Sequence, residues 1–260
     1  MSGDRSSSAT ARVFALVGHV AAGGDTANLS ELSRATDVNR VTAMRVLADL
    51  EHEGVLERGN GGGHRIGLAF LRLACQALRS EDLTSIGGRV LGELSAELQL
   101  SAYLVLPDND HALYLLRRVP TSPLVSNIAI GSRVPAHLTT AGRVLLLAHP
   151  ADELVELLGP EPLAATTPQS PTTYRQLEGL LDEARARGCA WSHAGFEPDI
   201  DSCAAPVIGG EGTPIAAVSV AGPPDDLRAS EERERFVEAS VKRAARQLSD
   251  LLQVPGAPTF

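Results

Sequence analysis

The sequence predicts an α+β chain in two parts: a small N-terminal winged helix-turn-helix and a larger domain of antiparallel strands with helices around them. Residues 11–67 read in order as helix, helix, tight turn, helix and hairpin. Residues 69–82 carry a strongly apolar helical pattern that separates two blocks of different character. Beyond it, strands come in pairs joined by short turns and do not alternate one by one with helices, which argues against a βαβ nucleotide fold.

The first helix has Val13, Phe14, Leu16, Val17 and Val20 on its apolar side and stops at Gly23-Gly24-Asp25. Leu29–Ala35 is a short second helix, with Ser30 expected as its N-cap. Thr36-Asp37-Val38 is the tight turn, and Asp37 tolerates the left-handed conformation such a turn needs. The third helix opens at Asn39 and runs to about Glu53. Ala43, Val46, Leu47 and Leu50 make one buried stripe, and Arg40, Val41, Met44 and Arg45 lie on the other face. Val55–Arg58 and His64–Leu68 are two short strands joined by the Gly59–Gly63 turn.

In the second block, helices are expected over 85–98, 139–148, 151–158, 174–187 and 231–252. Strands are expected over 102–106, 112–119, 124–130, 201–207 and 215–221. Pro107-Asp108-Asn109-Asp110 and Gly209-Gly210-Glu211-Gly212 are the turns between paired strands. The domain plan is a disordered tail 1–10, the winged helix 11–67, a linker and dimerisation helix 68–82, a binding domain 83–254 and a tail 255–260. Phe70, Leu73 and Leu78 are the expected contact with a second copy, because that helix has more apolar surface than one small neighbour covers.

The chain has 260 residues, 43% of them hydrophobic and 21% charged, enough for a real core in each domain. Its net charge of −9 argues against nonspecific coating of nucleic acid or anionic membrane and requires any DNA-reading surface to be small and local. The three cysteines, Cys75, Cys189 and Cys203, are dispersed, which points to a reducing compartment without a disulfide framework or zinc finger. No segment has the character of a signal peptide or membrane span, so the expected location is cytoplasmic.

A short second helix, a tight turn and an outward polar and basic face suit insertion of the third helix into a major groove. The expected DNA-contacting residues are Asn39, Arg40, Val41, Thr42, Met44 and Arg45, with His64 and Arg65 from the hairpin reaching backbone or minor groove. In the larger domain, a helix opening near Thr139 or Thr140 leaves backbone N–H groups free at its start, a natural seat for a carboxylate. Enzyme signatures are missing: there is no GxSxG elbow, and Gly59–Gly63 lacks the Lys-Ser/Thr of a phosphate loop. Ser192-His193 with Asp199 and Asp201 resembles parts of a hydrolase, but neighbours on a strand point to opposite faces. His137, His193 and Cys203 have no metal-ligand spacing, and neither metal nor cofactor is expected.

Arg12-Val13-Phe14, Leu29-Ser30-Glu31-Leu32, Val41–Leu47, Leu50-Glu51, Gly54 and His64–Leu68 resemble the DNA-binding half of the IclR family of regulators. Gly131–His137, Thr140–Arg143, Gly188, Pro198, Ala204–Val207 and Val218–Pro223 are similar to its effector-domain signature, in the same order and over nearly the whole chain. The resemblance implies a GAF-like effector domain, a dimer or tetramer, and control of genes for small-molecule catabolism. It also implies an effector site made by the backbone of Thr140 and Ala141, with Ser192, Ser202 and Ser219 across from it and Val134 as an apolar wall. The chain departs from the family pattern at His64 (often Tyr), Gly195 (often Glu) and Ser202 (often Cys), which bears on the effector more than on the fold.

The expected function is a sequence-specific regulator, a repressor in preference to an activator. It acts on a double-stranded operator and responds to a small organic acid. The alternative is an effector-binding or hydrolytic enzyme whose winged-helix module does not read DNA; a gel shift separates the two.

Overall fold

The computed structural model describes residues 8–59, 61–80, 82–120, 126 and 128–252, in two compact units that divide between Ser80 and Glu81. Residues 1–7 of the expected tail 1–10 and all of the expected tail 255–260 lie outside the described residues, while Ala9 and Thr10 already belong to a helix.

In the first unit, α1 spans Ala9–Ala21 and begins two residues earlier than the sequence suggests, because the Ser8 hydroxyl accepts from Ala11 N–H and caps it. Helix α2 (Leu29–Thr36) is capped by Asn28, not Ser30: the Asn28 side chain takes the N–H groups of both Ser30 and Glu31. Asp37 ends α2 at φ 54°, as the tight turn requires. Helix α3 (Arg40–His52) opens on Asn39, whose side chain accepts from Thr42 N–H at 2.9 Å. Strands β1 (Leu56–Arg58) and β2 (His64–Ile66) pair antiparallel as the wing. Leu16, Val17, Val20, Leu32, Val38, Ala43, Leu47, Leu50 and Leu56 form the core, while Phe14 points into solvent. Helix α4 (Leu68–Ser80) follows directly. Its Phe70 packs on this core and is no free contact residue, whereas Leu68, Leu71 and Leu73 are exposed. The side chain of Leu78 lies outside the described residues.

The second unit is built on a six-stranded antiparallel sheet in the order β5-β4-β3-β8-β7-β6. The strands are β3 (Ser101–Asp108), β4 (His111–Arg118), β5 (Arg133–Pro135), β6 (Ala190–His193), β7 (Asp201–Ile208) and β8 (Pro214–Gly222). Helices α5 (Asp82–Leu98) and α10 (Glu231–Leu252) pack Leu91, Leu94, Val237, Val241 and Leu248 against one face. The short α6 (Thr140–Leu146) covers the other face. Beyond it, α7 (Ala151–Leu158) and α8 (Tyr174–Arg187) close a smaller cluster around Leu146, Leu154, Leu177 and Leu181. A five-residue helix, α9 (Pro224–Arg228), precedes α10.

Two expectations change. Pro107 and Asp108 stay in β3, so the turn to β4 is only Asn109-Asp110, with Asn109 at φ 54°. Pro107 is tolerated because β3 pairs with β8 only through Val105, and no ladder hydrogen bond is lost. The strand expected over 124–130 does not form at Ser126 or at 128–130. Gly131, at φ 86°, turns the chain there, and Arg133–Pro135 pairs with β4 instead. Residues 124, 125 and 127 lie outside the described residues.

Candidate functional site

The third helix displays what the sequence places on it. Ala43, Leu47 and Leu50 are buried, and Val41 and Met44 are 74% and 56% exposed. Arg40 and Arg45 are exposed and form no ion pair among the described residues. Asn39 commits its side-chain oxygen to the cap and Thr42 is half-buried behind it, so those two residues stand at the helix start. Two unpaired guanidinium groups between two exposed apolar side chains supply donors for guanine or phosphate and surface for a thymine methyl.

The wing corrects one expectation. The His64 side chain is 4% exposed and turned inward. The Thr26 hydroxyl accepts from His64 N–H at 2.7 Å and lies 2.8 Å from Nδ1, so it also donates there. That leaves Nε2 carrying the proton in the neutral ring, 3.6 Å from a Glu51 carboxylate oxygen. His64 therefore ties the wing to the segment before α2 and is not placed to read a groove. Arg65 remains exposed but shares its charge with Glu57 at 2.9 Å, and Arg58 does so with Glu51 at 3.0 Å.

Burial first, then the neighbouring Arg58, holds the His64 imidazole below its ordinary value of 6.5. Burial does the same to His137, whose Nε2 lies 2.8 Å from the Ala164 carbonyl. A histidine lowered by folding contributes stability that is full above its unfolded value and is lost as pH falls below it. Thermal melting is therefore expected to decline from about pH 7.5 to about pH 5.5. His64→Asn keeps an acceptor near Nδ1 and cannot be protonated, so it should flatten the share of that loss due to the first unit. An unchanged profile in this variant would contradict the assignment.

The second site lies between the sheet and α6. Antiparallel register puts Ser192, Ser202, Ala221 and Ser101 in one row across β6, β7, β8 and β3. Ala190, Ala204, Ser219, Tyr103 and Arg117 form the next row. The serines and alanines of these rows leave the sheet floor low, so α6 and the loop after β6 roof over a small cavity that is partly open to solvent. Thr140, Ser192, Ser202 and Ser219 line it. The Thr140 hydroxyl donates to Ser202 Oγ at 3.1 Å and lies 3.4 Å from Ser219 Oγ. Helix α6 is capped by Thr139, whose hydroxyl accepts from Gly142 N–H, while the N–H groups of Thr140 and Ala141 precede the first intrahelical bond.

Val134 and the Ala141 side chain do not line the cavity. Both are buried in the core beside it, Val134 because β5 lies at the far edge of the sheet. The walls come instead from Tyr103, Tyr114, Ile128, Phe196, Glu197 and Ile200, none of which the sequence had singled out. Period-two alternation puts Ser101, Tyr103 and Val105 on one face, but that β3 lies beside β8 is a long-range fact without a local signal. Gly195 has a role here: a Cβ at this position would lie 2.4 Å from Ser192 Oγ, so its absence makes room for that hydroxyl.

His193 lies 3.0 Å from Asp201, which also binds Arg228, but both point to the sheet face opposite Ser192. No serine, histidine and carboxylate converge there. His137 is engaged by Ala164, and Cys203 is buried in the α5–α10 core. Among the described residues, no group of three His, Cys, Asp or Glu side chains is placed to hold a metal. No helix among them is long and apolar enough to cross a membrane.

Residues 9–59 match the IclR helix-turn-helix domain, and residues 75–250 match the domain described as bacterial transcriptional regulator IclR C-terminal. The chain belongs to the IclR family. It is 26% identical to the HTH-type transcriptional repressor AllR of Klebsiella pneumoniae, over 96% of this chain and 92% of that one. It is 27% identical to the HTH-type transcriptional regulator KipR of Bacillus subtilis, over 85% of this chain and 88% of the relative. A putative IclR regulator from Silicibacter superposes with a TM-score of 0.83 at 25% identity, covering 97% of this chain and all of that one (100%). An IclR homologue from Microbacterium hydrocarbonoxydans, solved with 4-hydroxybenzoate, superposes at 0.73 with 24% identity over 92% of this chain and 100% of its own. As an IclR-family member the chain is a DNA-binding transcriptional regulator with an effector domain, and not an enzyme.

Proposed function

We propose that this IclR-family chain is a cytoplasmic repressor that grips paired half-sites in double-stranded DNA as a dimer or tetramer, and whose grip a small organic acid changes. The observation that carries the DNA reading is the outward face of α3, where Arg40 and Arg45 are unpaired beside exposed Val41 and Met44. With a net charge of −9, one such module gathers few phosphates, and two modules on half-sites one helical turn apart supply the rest. Exposed Leu68, Leu71 and Leu73 on α4 offer apolar surface for a second copy. A mobility shift with the DNA upstream of its own gene, at fixed salt, tests the reading. The expected result is a discrete complex that unrelated DNA does not compete away. A monomer by light scattering that still binds with full affinity would refute the oligomeric part.

An acid suits the cavity because two N–H groups at the start of α6 and the hydroxyls of Thr140, Ser192, Ser202 and Ser219 can surround a carboxylate. No lysine or arginine is among the lining residues, so affinity should be modest, on the order of micromolar. The homologue that holds 4-hydroxybenzoate shares the fold; the acid reading rests on this chain's own cavity. Ser202→Ala with Ser219→Ala should weaken acid binding by roughly tenfold or more in calorimetric titration, since hydrogen bonds to a charged group are the strong ones. Binding of neutral analogues alone, or of acids equally by parent and double variant, would remove this assignment.

A further inference from the structure

The walls of the cavity are not all held in the same way. The floor is the sheet, and every residue of α6 is buried, with Gly142 pressed against the Ala136 backbone. The segment 194–200 after β6 belongs to no helix or strand, yet it carries Phe196 and Ile200 to the cavity. Three hydroxyls in the loop between α7 and α8 hold it down. Thr166 Oγ1 donates to the Phe196 carbonyl at 2.7 Å, Thr167 Oγ1 to the Ala194 carbonyl at 2.8 Å, and Ser170 Oγ to the Gly195 carbonyl at 2.8 Å. Two of these hydroxyls are aimed by their own turn. Ser170 Oγ accepts from the N–H groups of Thr166 and Thr167, and Thr167 Oγ1 accepts from Gln169 N–H. Neutral bonds of this kind exchange for water at little net cost, and Thr166 is itself exposed. The ends of the segment meet at a neck, where Ala194 N–H is shared by the Ile200 carbonyl and by buried Asp201, each at 3.2 Å. His193 and Arg228 fix Asp201 from the other side. At the neck, Ala194 (φ 50°) and Asp199 (φ 57°) hold left-handed conformations that residues with side chains keep only when their surroundings impose them.

We propose that residues 194–200 form a lid over the cavity, latched by the hydroxyls of Thr166, Thr167 and Ser170, and that a bound molecule enters and leaves by release of this latch. Shut, the lid sets Phe196 and Ile200 against the bound molecule and keeps bulk water out. Open, it turns on the neck at Ala194 and Asp199 while Asp201 keeps His193 and Arg228, so the sheet and α6 stay in place. Few bonds and no ladder hold the segment, which puts its opening at the low-energy end of the motions of this unit. Occupancy and latching are linked: a molecule that touches Phe196 and Ile200 favours the shut lid, and a loosened latch weakens the hold on that molecule. Access is gated in this way whatever compound fills the cavity, acid or neutral.

Alkylation of a thiol on the cavity floor measures the opening without any ligand. Ser219→Cys places one behind the lid, at a position 3% exposed, and iodoacetamide is the probe. Cys203, fully buried in the α5–α10 core, reports larger unfolding in the same sample. Cleavage at Glu211 separates the two sites for mass spectrometry. Thr166→Val removes the hydroxyl bonded to Phe196 and keeps the shape of the side chain. It should speed alkylation of the introduced thiol roughly 2- to 10-fold and leave Cys203 unchanged, while Thr166→Ser, which keeps the hydroxyl, should react like the starting protein. Hydrogen exchange of Thr166→Val without the introduced thiol gives a second readout. Exchange at the Ala194 and Ile200 N–H groups should rise by a similar factor, and β7 should stay protected. Equal alkylation with and without Thr166→Val would overturn the lid. So would acceleration shared in full by Cys203 or by the β7 amides, which marks general unfolding. Failure of every acid to bind would remove the acid reading above and leave these rates untouched.

Discussion

Arg45→Ala is expected to lower operator affinity by about 1–3 kcal/mol, a loss of roughly 5- to 150-fold at constant salt. Arg45 lies on α3 two residues from buried Ala43 and Leu47, so its side chain leaves the core face and stands with Arg40 on the exposed one. Asp49, one turn on, does not pair with it. Its charge is therefore free for DNA at no cost in folded-state contacts, and the melting temperature should not change. Arg45→Lys separates two ways of binding. A phosphate contact tolerates lysine and keeps the salt slope; a bidentate contact to guanine loses affinity for the cognate site alone. Unchanged affinity in a folded Arg45→Ala protein would move the reading surface away from α3.

Gly142→Ala is expected to destabilise the second unit by about 1–3 kcal/mol or more and to abolish effector binding. A Cβ at Gly142 would lie 2.1 Å from the Ala136 carbonyl oxygen and 2.5 Å from the Ala136 Cα. Both contacts are backbone, so no side-chain rotation relieves them; the 3-10 turn Ala136–Leu138 and the first turn of α6 must separate. That moves Thr139 and Thr140, which line the cavity, with the first turn of α6. Arg143, the next residue, is buried, pulled down to about 10 by desolvation, and held by the Trp191 carbonyl at 3.0 Å, so displacement of α6 also strips a buried cation of its acceptor. A Gly142→Ala protein with parental melting and parental titration curves would show that the close approach does not matter.

What was legible from the residues follows the range of the forces involved. Helix α8 has the expected ends because Gly188, at φ 69°, stops it locally, and Asp37 adopts the left-handed turn for an equally local reason. The exposed face of α3 follows from periodicity alone. His64 was misread because a hairpin residue is expected to face solvent, whereas the group that claims it, Thr26, is 38 residues away. The cavity was half legible. Its hydroxyl residues carry the family resemblance, but its walls at Tyr103, Phe196 and Ile200 depend on which strands are neighbours and how the loop after β6 folds back. Val134 was placed at the site by resemblance and lies in the core, since β5 pairs only at the sheet edge.

The most direct test of the account is a nuclease footprint of the full-length protein on the DNA upstream of its own gene, run beside Arg45→Ala. The account predicts a protected stretch with two related half-sites, centred roughly one helical turn or a multiple of it apart. Protection should require a markedly higher concentration of the variant. Uniform, salt-sensitive protection without boundaries, identical for parent and variant, would contradict it.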